Sequence, residues 1–359
     1  MNAKKLLVSA ALLAPVLVAF TLPESKLRFA PAAGAETTKV FETKMELSLD
    51  HLSVTMNGNE APGMPEMDMS MTHTQKVTVT DEYVAMDGST PKKLKRHFDA
   101  MESGAAVSMK MEMAGQSNNN DQNMKAQSEL DGKTVVFTWD ADAKEYKKAF
   151  DPAEEKAELL AGLTEDMDLR VLLPDHEVKK GDNWDIDVKT LVHVLAPGGN
   201  LAFKPEEGGD EGGAMAGMNM GAGMGSMHDY LSDLLEGECK ATLTDTREED
   251  GKQLAVIKIT MKISSSKDMT DLVKEAMKSA DKPEGVDMDF DHMDVDLKLE
   301  CEGELVWNLA ASRVESLELS GPVNMNMDMA MKLAMGDRTM NLEQAFEMSG
   351  TFTSSVKAK

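Results

Sequence analysis

The sequence predicts a mainly β protein of the α+β class: a large curved antiparallel sheet or half-barrel with two or three short amphipathic helices packed on it. Three observations predict it. From 323 to 335, "VNMNMDMAMKLAM", every odd position is apolar while the even ones are Asn, Asn, Asp, Ala, Lys and Ala, the period-two pattern of a half-buried strand. After the turn at Gly336-Asp337 the phase changes, and Met340, Leu342, Phe346, Met348 and Phe352 occupy even positions. The two runs thus predict a hairpin with facing apolar sides. The third is "MDVDLKLECEGELVWNL" over 293–309, which at about 3.3 Å per residue spans roughly 56 Å, about three typical strands. A ribbon of that length must curve or bulge, and Gly303 and Ala310-Ala311 are the expected places.

The other elements follow in chain order. Residues 1–35 read as a signal peptide: Lys4 and Lys5, an apolar run from Leu6 to Phe20, then a small-residue pattern at Ala33-Gly34-Ala35. The run is too short and too proline-interrupted for a membrane span. An N-terminal β-rich half covers 36–204, with strands at 38–56, 67–80, 105–114, 133–139 and 184–195. It also carries a helix at about 151–163, where Asp151 reads as N-cap and Pro152 as the first helical residue. A flexible Gly/Met-rich connector, 205–226, leads to a C-terminal β-rich half, 227–359. That half opens with a short helix ending at Gly237, continues with strands at 238–246 and 253–263, and carries a second helix at about 267–280, whose stripe is Met269, Leu272, Val273, Ala276 and Met277.

Composition narrows the function. The chain has 38 Lys+Arg against 63 Asp+Glu; without residues 1–35, which hold Lys4, Lys5, Lys26, Arg28 and Glu24, the balance is 34 against 62, a net −28. So acidic a surface repels phosphate backbones and anionic headgroups, which argues against nucleic acid and against charge-driven membrane docking. Aromatics are only 4% and methionines number 31, so methionine must supply much of the apolar volume. There is no GxSxG, HExxH, phosphate-cradling Gly-Lys motif or CxxC, and the seven histidines are scattered. The reading is non-enzymatic, with no cofactor.

Two residue sets are candidate sites. Met325, Met327, Met329, Met331, Met340, Phe346 and Met348, with Met109, Met111 and Met113 from "VSMKMEM", predict a soft apolar face suited to a flexible ligand. Thioethers are also soft ligands favouring Cu(I). Met64, Met67, Met69, Met71 and His73, and in the connector Met215, Met218, Met220, Met224, Met227 and His228, are therefore the alternative copper ligands. Cys239 and Cys301, at inward-reading positions of an exported chain, predict a disulfide. The row Asp287, Asp289, Asp291, Asp294 and Asp296 lacks the glycine and terminal glutamate of a calcium loop and reads as the wet face of a strand.

"LPDHEVKKGDNWDIDV", 173–188, places Pro174, Val178-Lys179, Gly181-Asp182 and Trp184 ahead of a strand. It resembles a "P…VK.GD.W" segment of uncharacterised exported β-rich bacterial proteins. That resemblance spans about 170–359 and implies an envelope β protein without implying an activity. At the level of architecture, long curved strands with few helices also resemble the half-barrel lipoprotein-carrier fold. The expectation is a protein of the periplasm or cell envelope binding an apolar ligand, a lipid or a partner's apolar segment, on a methionine-lined concave face. The alternatives are a Cu(I)/Ag(I)-binding protein and a purely structural envelope protein.

Overall fold

The computed structural model describes residues 27–60, 66–113, 116–205, 235–271, 273–274, 286–335 and 338–359. Its architecture starts from β1 (Glu36–Met56) and β14 (Arg338–Ala358), which run antiparallel from Lys39↔Ala358 to Met56↔Leu342. The two β-rich halves thus meet in one sheet. On one side of β1 follow β3 (Glu66–Asp87) and β4 (Thr90–Met113), and β4 carries both β5 (Gln116–Ser128) and β6 (Thr134–Asp140), the latter edged by β7 (Glu145–Phe150). Beyond β14 come β13 (Arg313–Met335), β12 (Val286–Asn308), β11 (Lys252–Asp268), β10 (Glu236–Glu249) and the short β8 (Asn183–Ile186). Two minor strands, β2 (Asn59–Glu60) and β9 (Phe203–Pro205), pair β1 and β5. All fourteen belong to one antiparallel sheet whose path ends at β7 and β8 without closing.

The alternation read in the sequence sets the faces. Met325, Met327, Met329 and Met331 are buried while Asn324, Asn326 and Asp328 are exposed. The predicted bend of β12 takes the form of register shifts at 290–292 and 306–307, and Ala310-Ala311 falls in the turn after the strand.

Helix is scarcer than the sequence suggests. The segment 151–205 crosses the apolar face and buries Leu159, Leu163, Met167, Leu169, Leu172 and Leu191 in one cluster with Phe41, Tyr83, Leu94, Phe98 and Phe137 of the sheet. Only α1 (Glu158–Ala161) and α2 (Val192–Leu195) in it are α-helical. Asp151 is no N-cap, because its carboxylate pairs with Lys95 at 2.8 Å and its amide donates to Thr134 O at 3.0 Å. Those bonds hold it to the sheet, while Glu154 is held by Lys133 at 2.7 Å. The strand expected at 184–195 stops at Ile186, where the Asp187 carboxylate accepts from the Lys189 amide at 3.0 Å and starts a helical turn. Near 267–280, β11 runs on to Asp268, whose carboxylate accepts from the Thr270 amide at 2.8 Å; 270, 271, 273 and 274 are helical and 275–285 lie outside the described residues. The helix placed before Gly237 lies mostly outside them too. Gly181-Asp182 does form the expected turn, with φ +95° at Gly181, and the buried Trp184 donates Nε1 to Leu172 O at 3.1 Å.

Candidate functional site: a cavity at the waist of the sheet

The core alternation fails at one level on β1, β3, β4, β12 and β14 together, while Leu319 of β13 and Ile259 of β11 keep it there. Thr43 sits between buried Phe41 and Met45, Gln75 between His73 and Val77, Ser354 between Phe352 and Val356, and Gly303 between Cys301 and Leu305. These positions are direct cross-strand partners: Ala126↔Ser103↔Gln75↔Thr43↔Ser354↔Leu319↔Gly303 forms an unbroken row across β5, β4, β3, β1, β14, β13 and β12. Small or polar side chains, interrupted by Leu319, thus form a belt on the otherwise apolar face.

The belt lines a cavity of about 1500 Å³, to which Met101, Ser128 and Thr244 also contribute. Nine consecutive strands border it, from β5 to β10. Laid flat, nine strands would be about 38 Å wide at ~4.8 Å spacing, whereas a sphere of that volume is only about 14 Å across. The sheet must therefore wrap around the space. Ten charged residues also border it, among them Lys44, Lys258, Glu302 and Glu318; all have exposed side chains, and those on the strands alternate with the inward-facing positions. The interior thus offers hydroxyls, one amide and apolar groups with no charge among the belt side chains.

On one side of the belt the interior is aromatic and aliphatic, and on the other it is methionine. Of the predicted ligand-lining set, Met325, Met327, Met329, Met331, Phe346 and Met348 are buried, Met109, Met111 and Met340 are half-buried, and the side chain of Met113 lies outside the described residues. None of the ten borders the cavity. The methionines pack on each other across strands, Met325 opposite Met348 and Met69 opposite Met109, so they are core and the open space lies below them. The predicted methionine face therefore does not border this space. Among the alternative copper ligands, Met67, Met69, Met71 and His73 share the inward face of β3; Met64, Met215, Met218, Met220, Met224, Met227 and His228 lie outside the described residues. Within those residues no group of three His, Cys, Asp or Glu converges. Asp289, Asp291 and Asp294 are exposed as expected, Asp291 pairing with Lys332 at 2.7 Å.

The predicted disulfide is absent, and Cys239 and Cys301 are free buried thiols. Both pair with Met261, from opposite sides. One strand between them puts their backbones about 9.6 Å apart, beyond the ~6.8 Å a disulfide spans. Burial pushes both thiols up to about 12, so they are protonated at neutral pH.

A second inward-facing group escaped the sequence reading. Lys39, Asp81 and Arg96, on β1, β3 and β4, are each 0% exposed. Asp81 accepts from Arg96 Nε and a terminal nitrogen at 2.7 and 2.8 Å and from Lys39 Nζ at 2.7 Å. Lys39 also donates to Asp168 at 2.6 Å, which Tyr83 bonds through its hydroxyl. Arg96 reaches the carbonyls of Thr164 and Glu165 at 3.1 and 2.8 Å, and Arg170 closes the group onto Glu165 and Asp166. The cluster fastens 164–170 to the sheet. A signal existed: Lys39, Asp81 and Arg96 fall in phase with Phe41, Val79 and Phe98, positions that face the core.

This group makes stability depend on pH. Burial pushes the Glu165 carboxyl up to about 7, against the pull of Arg170. Burial also raises Asp81, but Arg96 and Lys39 outweigh it and bring that carboxyl down to about 2. A carboxyl raised in the fold contributes stability that is full below its ordinary 4.5 and is lost as pH rises through about 7. One lowered in the fold contributes above its ordinary 3.8 and loses that only as pH falls through about 2. Between the two windows Glu165 governs. Urea unfolding is expected to show greater stability at pH 5 than at pH 8, by up to about 3 kcal/mol, with Glu165→Gln flattening the difference. A wild-type profile that is level over that range would contradict the assignment.

No protein-family model matches the chain, and neither does any curated protein. Among solved structures, the outer membrane protein OprG of Pseudomonas aeruginosa aligns at 8% identity over 91% of this chain and 98% of that one, with a TM-score of 0.23. An outer membrane channel of Pseudomonas putida F1 aligns at 10% identity over 92% and 98%, with a TM-score of 0.19. Scores this low carry no assignment of fold, place or activity. Among the described residues no helix is long and apolar enough to cross a membrane.

Proposed function

We propose that this is an exported, non-enzymatic envelope protein that binds an amphipathic ligand, a lipid or an apolar segment with an uncharged polar group, inside the waist of its half-barrel. The observation that carries the reading is the belt. Six of the seven paired positions, all but Leu319, carry small or polar side chains, and the row borders about 1500 Å³ inside the curve of the sheet. Ligand sites usually enclose about 300–1,000 Å³ and combine apolar walls with a few polar groups. Filled with solvent alone, this space would hold about 50 waters at ~30 Å³ each, next to buried Met101 and Leu319. An acyl chain with a neutral polar group matches such walls, because no belt side chain is charged. Export is supported by the apolar run behind Lys4 and Lys5.

The test is native mass spectrometry and solvent extraction of protein purified from its own envelope. A bound hydrophobe is expected on the wild type and on Met327→Leu, which alters only packed core. Ser103→Leu with Ser354→Leu, which fills the belt, is expected to lose it while still unfolding cooperatively. A folded belt-filled variant that keeps its ligand, or a wild type that carries none, overturns the reading.

A further inference from the structure

One step from the belt, toward the methionine end, the next cross-strand row carries soft donors. His73 on β3 pairs directly with Met45 on β1 on one side and Ala105 on β4 on the other. Beyond Ala105 lies Met124 of β5. Met71 stands two residues along β3 on the same face. The His73 ring is buried, and its Nε2 reaches Ser103 Oγ, a belt hydroxyl, at 3.5 Å. An imidazole thus sits one row from the cavity, touching a hydroxyl that lines it and flanked by thioethers.

We propose that His73, Met45 and Met71 form a binding site for a soft monovalent cation, Cu(I) or Ag(I), reached through the waist cavity. Directly paired residues have Cβ atoms about 4.5–5.5 Å apart, and methionine has three rotatable bonds with which to bring its sulfur to an ion. Ala105, small and directly opposite His73, is the one residue between it and Met124 in the row. One nitrogen with two or three thioethers is a donor set that Cu(I) and Ag(I) accept and that hard cations refuse. The three ligands are neutral and the row carries no carboxylate, so a divalent ion would bury twice the uncompensated charge of a monovalent one. The acidic surface, −25 over the whole chain, concentrates cations around the molecule. The site differs from the linear run 64–73: strand pairing brings in Met45, and Met67 and Met69 lie farther along β3, away from the belt.

The test uses the full-length protein with 13C-methyl methionine labels, titrated with Ag(I) in chloride-free buffer. The methyls of Met45 and Met71 are expected to shift at one equivalent. Met45→Leu and Met71→Leu should each weaken binding by about 10- to 100-fold, and His73→Phe by at least as much; all three keep the position apolar and filled. Two controls isolate the site. Cys239→Ala with Cys301→Ala removes the buried thiols, and replacing Met215, Met218, Met220, Met224 and His228 removes the other run; both should leave the shifts intact. If the shifts vanish in either control, or survive His73→Phe unchanged, the site is elsewhere and the proposal fails. Repeating the titration after solvent extraction separates this site from the ligand reading, since metal binding is expected in either state.

Discussion

Asp81→Asn is expected to lower the unfolding free energy by about 3–5 kcal/mol, the range for removing one partner of a buried ion pair. Asp81 neutralises two cations at once, Arg96 through a two-point contact and Lys39 through a third bond. With the charge gone, two fully buried cations share the remaining carboxylates, and Asn cannot restore the field that holds them. Exposed pairs give the contrast: Lys76 and Glu42 lie 2.7 Å apart with both side chains about half exposed, and Glu42→Gln should change stability by less than about 1 kcal/mol. A further contrast separates charge from packing. Lys39→Met, Asp81→Leu and Arg96→Met combined remove the charges together, and the triple variant should lose less than the sum of its single variants. Urea unfolding read by Trp fluorescence measures all of these, and an Asp81→Asn loss below about 1 kcal/mol would remove the cluster's role as an anchor.

The sheet was legible in the sequence wherever one apolar set alternates without interruption, as from Val323 to Met331 or from Met293 to Cys301. It was not legible where burial and polarity part company. β5, "QSNNNDQNMKAQS", has no apolar alternation because most of it is exposed, and its ladders to β4 and, at its end, to β9 define it. The first half of β4 hides behind Arg96, a charge in a core position that only Asp81 on the next strand explains. Helix signals at 151–163 were real local preferences overruled by tertiary pairs, Asp151 with Lys95 and Glu154 with Lys133. The cavity was invisible for a different reason: Thr43, Gln75, Ser103 and Ser354 each look like an ordinary lapse in a pattern. Only the register shows that the lapses align. The abundance of methionine drew the ligand reading to the packed end of the interior, one row or more beyond the space.

Gly350→Ala is expected to cost at least about 3 kcal/mol, more than most added methyls, because the new carbon would meet backbone and not a movable side chain. A Cβ at Gly350 would stand 1.7 Å from Glu46 O, at Gly321 1.8 Å from Glu300 O, and at Gly303 1.9 Å from Glu318 O. All three occupy core-face positions, and the register places them on a diagonal: Gly303 in the belt, Gly321 one row above it, Gly350 two rows above. Each missing side chain admits the carbonyl of the neighbouring strand, which is how a sheet bends sharply toward its apolar face. The diagonal is therefore a crease running from the belt into the methionine end, and it turns β12, β13 and β14 inward around the cavity. Gly350 lies between Leu47 of β1 and Val323 of β13 at the centre of the sheet, where no edge is free to move. Gly104, on β4, is the matched control: its nearest atom to an added Cβ is Met124 O at 3.4 Å, and Gly104→Ala should change stability by less than about 1 kcal/mol. If Gly350→Ala flattens the crease, the variant should also lose its bound hydrophobe. A fully stable Gly350→Ala protein that keeps its ligand would mean that the curvature enclosing the waist does not depend on these glycines.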